Sequence, residues 1–130
     1  MRYLHIIFFL SVSNFLSSQT VDSIAVKHLD SLIKVSREFA VKKDFDQAIA
    51  VIGSAEQFTL EKFGRESSQF ASCLLIRGYS YFYMADYKEA EKLFLEASAL
   101  YEKVLGKESL KYATSLDCLA TLNLRKNNFE

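Results

Sequence analysis

The sequence predicts an all-α fold, a stack of antiparallel helix pairs, and three observations carry that prediction. The segment from Asp44 to Lys88 is echoed 42 residues later, from Asp86 to Glu130. At that offset Asp44/Asp86, Ala48/Ala90, Ala55/Ala97, Gly64/Gly106, Glu66/Glu108, Ser67/Ser109, Ala71/Ala113 and Leu74/Leu116 are identical, and Phe45, Tyr87 and Phe129 form an aromatic series. A fixed period of this size marks stacked supersecondary units rather than one globular core. Apolar residues also recur at spacings of three to five, as on one face of a helix, instead of alternating as in a strand. Finally, the 130 residues include no proline and only four glycines. That suits long helices, because proline removes a backbone donor and clashes inside them.

The first segment differs from the rest. Arg2 supplies one positive charge, Tyr3 to Leu16 is mostly apolar around Ile6, Ile7, Phe8, Phe9 and Leu10, and Ser17, Ser18 and Gln19 form a small, polar boundary. This is the layout of a secretory signal peptide. Residues 1–18 are therefore expected to direct export, periplasmic or secreted, with the repeat domain over 19–130. The alternative is an uncleaved N-terminal anchor. The apolar run is shorter than the roughly 20 residues a spanning helix needs, and Ser11, Ser13 and Asn14 interrupt it. No stable membrane span is expected once the signal is removed.

The helices follow in order. Val21 to Lys43 carries Ile24, Leu29, Leu32, Val35 and Phe39 on one face, with Val21-Asp22 as its start. Asp44 interrupts, and Phe45 to Phe63 carries Ala48, Val51, Ile52, Ala55, Phe58 and Leu60 until Gly64 stops it. Glycine enters the left-handed conformation of a helix end at no steric cost. Ser68 to Ala85 carries Phe70, Leu74, Ile76, Tyr79, Tyr81, Phe82 and Met84. After the turn at Ala85-Asp86, Tyr87 to Leu105 carries Ala90, Leu93, Phe94, Ala97, Leu100, Tyr101 and Val104, and Gly106 ends it. Leu110 to Lys126 opens a third pair with Ala113, Leu116, Leu119, Ala120 and Leu122. Asn127-Asn128 would be its turn, and Phe129-Glu130 would begin the partner helix. Short connections favour antiparallel neighbours.

Chemistry-bearing residues are few. Sixteen basic and sixteen acidic residues cancel, so no basic footprint for nucleic acid appears. His5 lies in the signal segment, and His28, beside Lys27 and Asp30, reads as a surface histidine. No nucleophile elbow, zinc-protease pair or phosphate-binding glycine run is present. Cys73 and Cys118 have no companion histidine, which weighs against a catalytic thiol or a zinc site. Export permits a disulfide, but both lie in apolar helical stretches at different phases of the repeat, so each reads as a small buried hydrophobe. Glu89, Glu91 and Glu96 read as a solvated helix face, with Glu96 placed to reach Lys92 four residues back. No catalytic residue, cofactor or metal is expected.

The middle unit reads Leu74-x2-Arg77-Gly78-x2-Tyr81, then Ala90-x3-Phe94-x2-Ala97. The first reads Leu32-x2-Val35-Ser36-x2-Phe39, then Ala48-x3-Ile52-x2-Ala55, and the third is half present as Leu116-x2-Leu119-Ala120-x2-Asn123. Gly78 and Ala90 are small where two helices approach, and Tyr81 and Phe94 fill the space around them. This pattern resembles the tetratricopeptide repeat, with units at about 29–62, 69–105 and an incomplete 111–130. The 42-residue period and the segments Phe63-Gly64-Arg65-Glu66-Ser67 and Leu105-Gly106-Lys107-Glu108-Ser109 resemble the longer kinesin-light-chain type. Ser67 and Ser109 stand where that type commonly has histidine, Ser68 and Leu110 where it has proline, and Arg77 where leucine is usual.

The resemblance implies a right-handed solenoid whose first helices line a concave groove that grips peptides. Carried over by position, the groove residues are Tyr79, Phe82 and Tyr83, with Arg37 one repeat earlier and Thr121 and Arg125 one repeat later. Aromatics and arginines suit binding hot spots; the competing reading packs these aromatics against neighbouring repeats. The expected function is a non-catalytic scaffold for a protein or peptide partner. One alternative is the N-terminal repeat region of a larger protein, such as a caspase-like CHAT protease or a sensor kinase. Another is self-association through an uncapped last helix that leaves Leu116, Leu119 and Leu122 partly uncovered.

Overall fold

Five α-helices follow one another in the computed structural model: α1 Arg2–Val41, α2 Phe45–Lys62, α3 Ser68–Tyr83, α4 Tyr87–Leu105 and α5 Leu110–Asn127. The structure describes residues 2–127, with side chains over 22–127, and no strand occurs among them. The all-α helical repeat fold expected from the period is present. Side chains of the expected signal segment 1–18 lie outside the described residues, as does the expected helix start at Phe129-Glu130. The start predicted at Val21-Asp22 is corrected: one helix runs from Arg2 through that point. No glycine or proline between Arg2 and Val41 interrupts the hydrogen-bond ladder. No helix among the described residues is long and apolar enough to cross a membrane.

The tight turns are built twice by the same device. Lys43 and Ala85 both sit at φ 62°, in the left-handed region. Asp44 N–H donates to Phe39 O at 3.0 Å and Lys43 N–H to Ala40 O at 3.0 Å. One period later Asp86 N–H donates to Tyr81 O at 3.0 Å and Ala85 N–H to Phe82 O at 3.1 Å. These are Schellman closures of α1 and α3. The same aspartates then cap the following helix, Asp44 accepting from Gln47 N–H and Asp86 from Glu89 N–H. Left-handed Ala85 explains why α3 stops at Tyr83 rather than at Ala85 itself. The longer connections use Gly64 at φ 79° and Gly106 at φ 85°, as the two glycine stops predicted.

Each helix packs on its sequence neighbours, and α1 also reaches α3. The helix α3 is central because it has two buried faces. Cys73 and Ile76 join Leu29 of α1 and Ile52 and Ala55 of α2 in one cluster. Ala71, Leu74 and Leu75 join Ala90, Leu93, Phe94 and Ala97 of α4, and Cys118 and Leu122 of α5, in the other. Gly78 makes the α3–α4 approach possible: a Cβ there would lie 2.6 Å from Phe94 Cε1 and 2.7 Å from Cδ1. Several buried polar groups are satisfied locally, while Ser80 Oγ is buried without a partner among the described residues. Ser36 Oγ donates to Ala48 O at 2.8 Å, the Thr59 hydroxyl bonds Ala55 O, and Tyr101 Oη lies 2.8 Å from Ser72 Oγ.

Several expected apolar faces are rotated. Ile24, Val35, Leu60, Met84 and Val104 are exposed, while Ala25, Ser36, Thr59 and Ser115 are buried. In a thin stack, small residues facing a neighbouring helix are covered while larger ones at the margin stay in solvent. Leu122, expected to be partly uncovered, is 0 % exposed, because α5 turns it toward the second cluster. Leu119 is half-buried against the same cluster. The predicted Glu96–Lys92 pair is also corrected. Glu96 takes Arg65 from the α2–α3 connection at 2.7 Å, and Lys92 takes Glu89 at 3.2 Å.

Candidate functional site

Two clefts open between the first helices of successive pairs. The larger, about 780 Å³, lies between α1 and α3, with Arg37, Lys43, Phe45, Ile76, Tyr79 and Tyr83 among its walls. The smaller, about 340 Å³, lies between α3 and α5 and is lined by Tyr79, Phe82, Tyr83, Phe94, Thr114, Asp117, Cys118 and Thr121. Tyr79 and Tyr83 line both, so the clefts form one track across α1, α3 and α5. A further hollow is lined by α1 residues and the adjoining Lys42, carries both signs of charge and lacks a second wall.

Five of the six sequence-predicted groove residues therefore come together: Arg37, Tyr79 and Tyr83 in one cleft, and Tyr79, Phe82, Tyr83 and Thr121 in the other. Arg125 is exposed on the last turns of α5 and lines neither. The sequence reading missed Lys43, Phe45 and Asp117. Asp117 stands one period after Leu75 and Lys43 one period before Ala85. Neither matched a repeat consensus, and departure from the repeat was the available signal.

Core packing and cleft lining coincide at the aromatics. The Tyr79 ring meets Phe94 edge-on at 5.4 Å and stacks on Tyr83 at 6.4 Å. Its hydroxyl lies 2.8 Å from Cys118 Sγ, tying α3 to α5. Burial, reinforced by that contact, pushes the Tyr79 phenol well above its ordinary range. Tyr83, by contrast, is 62 % exposed and meets Phe82 edge-on at 5.6 Å. The two readings of this cluster are thus not exclusive: Tyr79 and Phe82 brace the repeat interface, and Tyr83 presents its ring to solvent.

Both thiols are free and buried. Burial pushes Cys73 up to about 11 and raises Cys118 as well, so both are protonated, weakly nucleophilic groups near neutrality. The unexpected Arg77 pairs with Glu56 of α2 at 2.7 Å. Burial raises the Glu56 carboxyl, with Arg77 opposing that shift. Exposed His28 leans edge-on against Phe58 at 4.8 Å. No group of three or more metal-ligating side chains occurs among the described residues.

A family model for the tetratricopeptide repeat matches residues 70–130, from α3 onward. The match supports a tetratricopeptide repeat protein. Tetratricopeptide repeats generally mediate protein–protein interaction and are typically non-catalytic scaffolds. No curated protein matches the chain.

Proposed function

We propose that this protein is a scaffold that holds a protein or peptide partner on the face formed by α1, α3 and α5. The observation that carries the reading is the shared position of Tyr79 and Tyr83 in two adjoining clefts. Tyrosine offers large, rigid contact area at low entropic cost, and Tyr83 needs no core rearrangement to use it. On this reading the repeats are of the longer kinesin-light-chain type, which the 42-residue period supports, and residues 1–18 serve export. N-terminal sequencing of the mature protein checks the latter.

Site-specific photocrosslinking tests the binding face. A crosslinking residue at position 83 is expected to trap a partner that the same residue at exposed Leu60 of α2 does not. Tyr83→Ala is expected to weaken capture about tenfold, as at an interface hot spot, with an unchanged Tm. Equal trapping at both positions sinks the reading.

A further inference from the structure

Charge divides the concave track into two ends. Among the described residues, Arg37 and Lys43 are the only charged ones lining the α1–α3 cleft. Among the described residues, Asp117 is the only charged one lining the α3–α5 cleft. None of the three forms an ion pair among the described residues. The six ion pairs among the described residues all lie elsewhere, so none of them neutralises these three charges. The aromatic pair Tyr79 and Tyr83 lies between the ends and belongs to both clefts.

We infer that the face binds an extended peptide of matching dipolar charge. An acidic side chain sits at Arg37 and Lys43, an aromatic or apolar one on Tyr79 and Tyr83, and a basic one at Asp117. This rests on the binding reading above and adds the ligand's chemistry and spacing. From α1 across α3 to α5 is two helix-to-helix steps of about 10 Å each. An extended chain advances about 3.3 Å per residue, so the acid and the base stand about six positions apart. Exposed ion pairs contribute little affinity; their effect is to choose among ligands and fix which end lies where. Like charges at both ends of the ligand meet repulsion at one end of the track.

The test uses three fluorescent, end-blocked heptapeptides with phenylalanine in the middle and serine or glycine elsewhere. One has glutamate first and lysine last, one has glutamate at both ends, and one has lysine at both ends. Anisotropy titration of the full chain is expected to favour the mixed peptide by about threefold, and the preference should fade with added salt. Asp117→Lys, at an exposed position, is expected to make the double-glutamate peptide the best ligand. An unchanged ranking in that variant overturns the inference. Equal binding of all three, weakened by Tyr83→Ala, also overturns the charge assignment but keeps the binding face. Failure of all three to bind rejects both. Longer peptides with the charges about thirteen apart, the helical spacing over the same span, would overturn the extended form if they bound better.

Discussion

At Gly78 two preferences conflict. Helix propensity favours alanine over glycine by about 1 kcal/mol. Packing opposes it, because the added Cβ would meet the ring of buried Phe94 at 2.6 Å. The ring is held on every side by the core and is not a flexible tip that can swing away. Gly78→Ala is therefore expected to destabilise the protein by about 1–3 kcal/mol, read by urea denaturation, and Phe94→Leu in the same chain should recover part of the loss. Glu56 supplies a second residue-scale prediction. Its carboxyl is raised above the ordinary 4.5 by burial, against the pull of Arg77. A carboxyl raised on folding adds stability below its unfolded value, and that addition is lost as pH rises through the folded value. Between about pH 4 and about pH 7, the wild-type chain should lose stability relative to Glu56→Gln. A wild-type chain that gained stability relative to Glu56→Gln over that range would contradict the assignment.

The helix-to-helix turns are economical at the level of the element. One aspartate ends a helix and caps the next, and the residue before it adopts φ 62°. Glycine normally takes that place, since a side chain in the left-handed region costs about 1–2 kcal/mol. Lys43 and Ala85 tolerate it because two backbone hydrogen bonds and a cap are made at each turn. Ala85→Gly should relieve the strain while leaving every one of those bonds intact. The expected result is a gain of about 0.5–1 kcal/mol, seen as a Tm higher by about 2–4 °C. A lower Tm would mean that the alanine methyl packs favourably there.

At the level of the whole molecule, one repeat position has two fates. Leu74 is 2 % exposed and its echo Leu116 is 43 % exposed. The face of α3 that carries Leu74 is covered by α4; the corresponding face of α5, with Ala113, Leu116 and Ala120, is open among the described residues. Leu74→Ala should cost about 2–5 kcal/mol. Leu116→Ala, the same substitution in the same motif, should stay within about 0.5 kcal/mol. Comparable losses would show that another surface covers α5 in solution, as self-association would do. In a linear stack, stability is the sum of units and their interfaces, so the position of a unit in the array outweighs its motif.

Much of this architecture was readable in advance. The five helices, both glycine stops and the close approach at Gly78 follow from positions that recur at the period, and the meeting of Arg37, Tyr79 and Tyr83 is what the resemblance to the tetratricopeptide repeat implies. What escaped was whatever departs from it. Arg77 looked like a consensus violation until Glu56 appeared on the neighbouring helix. Helix spacing points Glu96 to Lys92 on the same helix, whereas its partner Arg65 approaches from a connection. No repeat consensus calls for Asp117 or Lys43, so the period does not single them out.

Periodicity and small-residue spacing specify the helices and their order, because backbone hydrogen bonding and close packing are local demands written into each unit. Which leucine is covered, which carboxylate meets which cation, and which charges remain unpaired along the α1–α3–α5 face depend on where the neighbouring helix comes to lie. Burial and Coulomb interactions act across space between residues far apart in the chain, so these outcomes emerge when the stack is assembled.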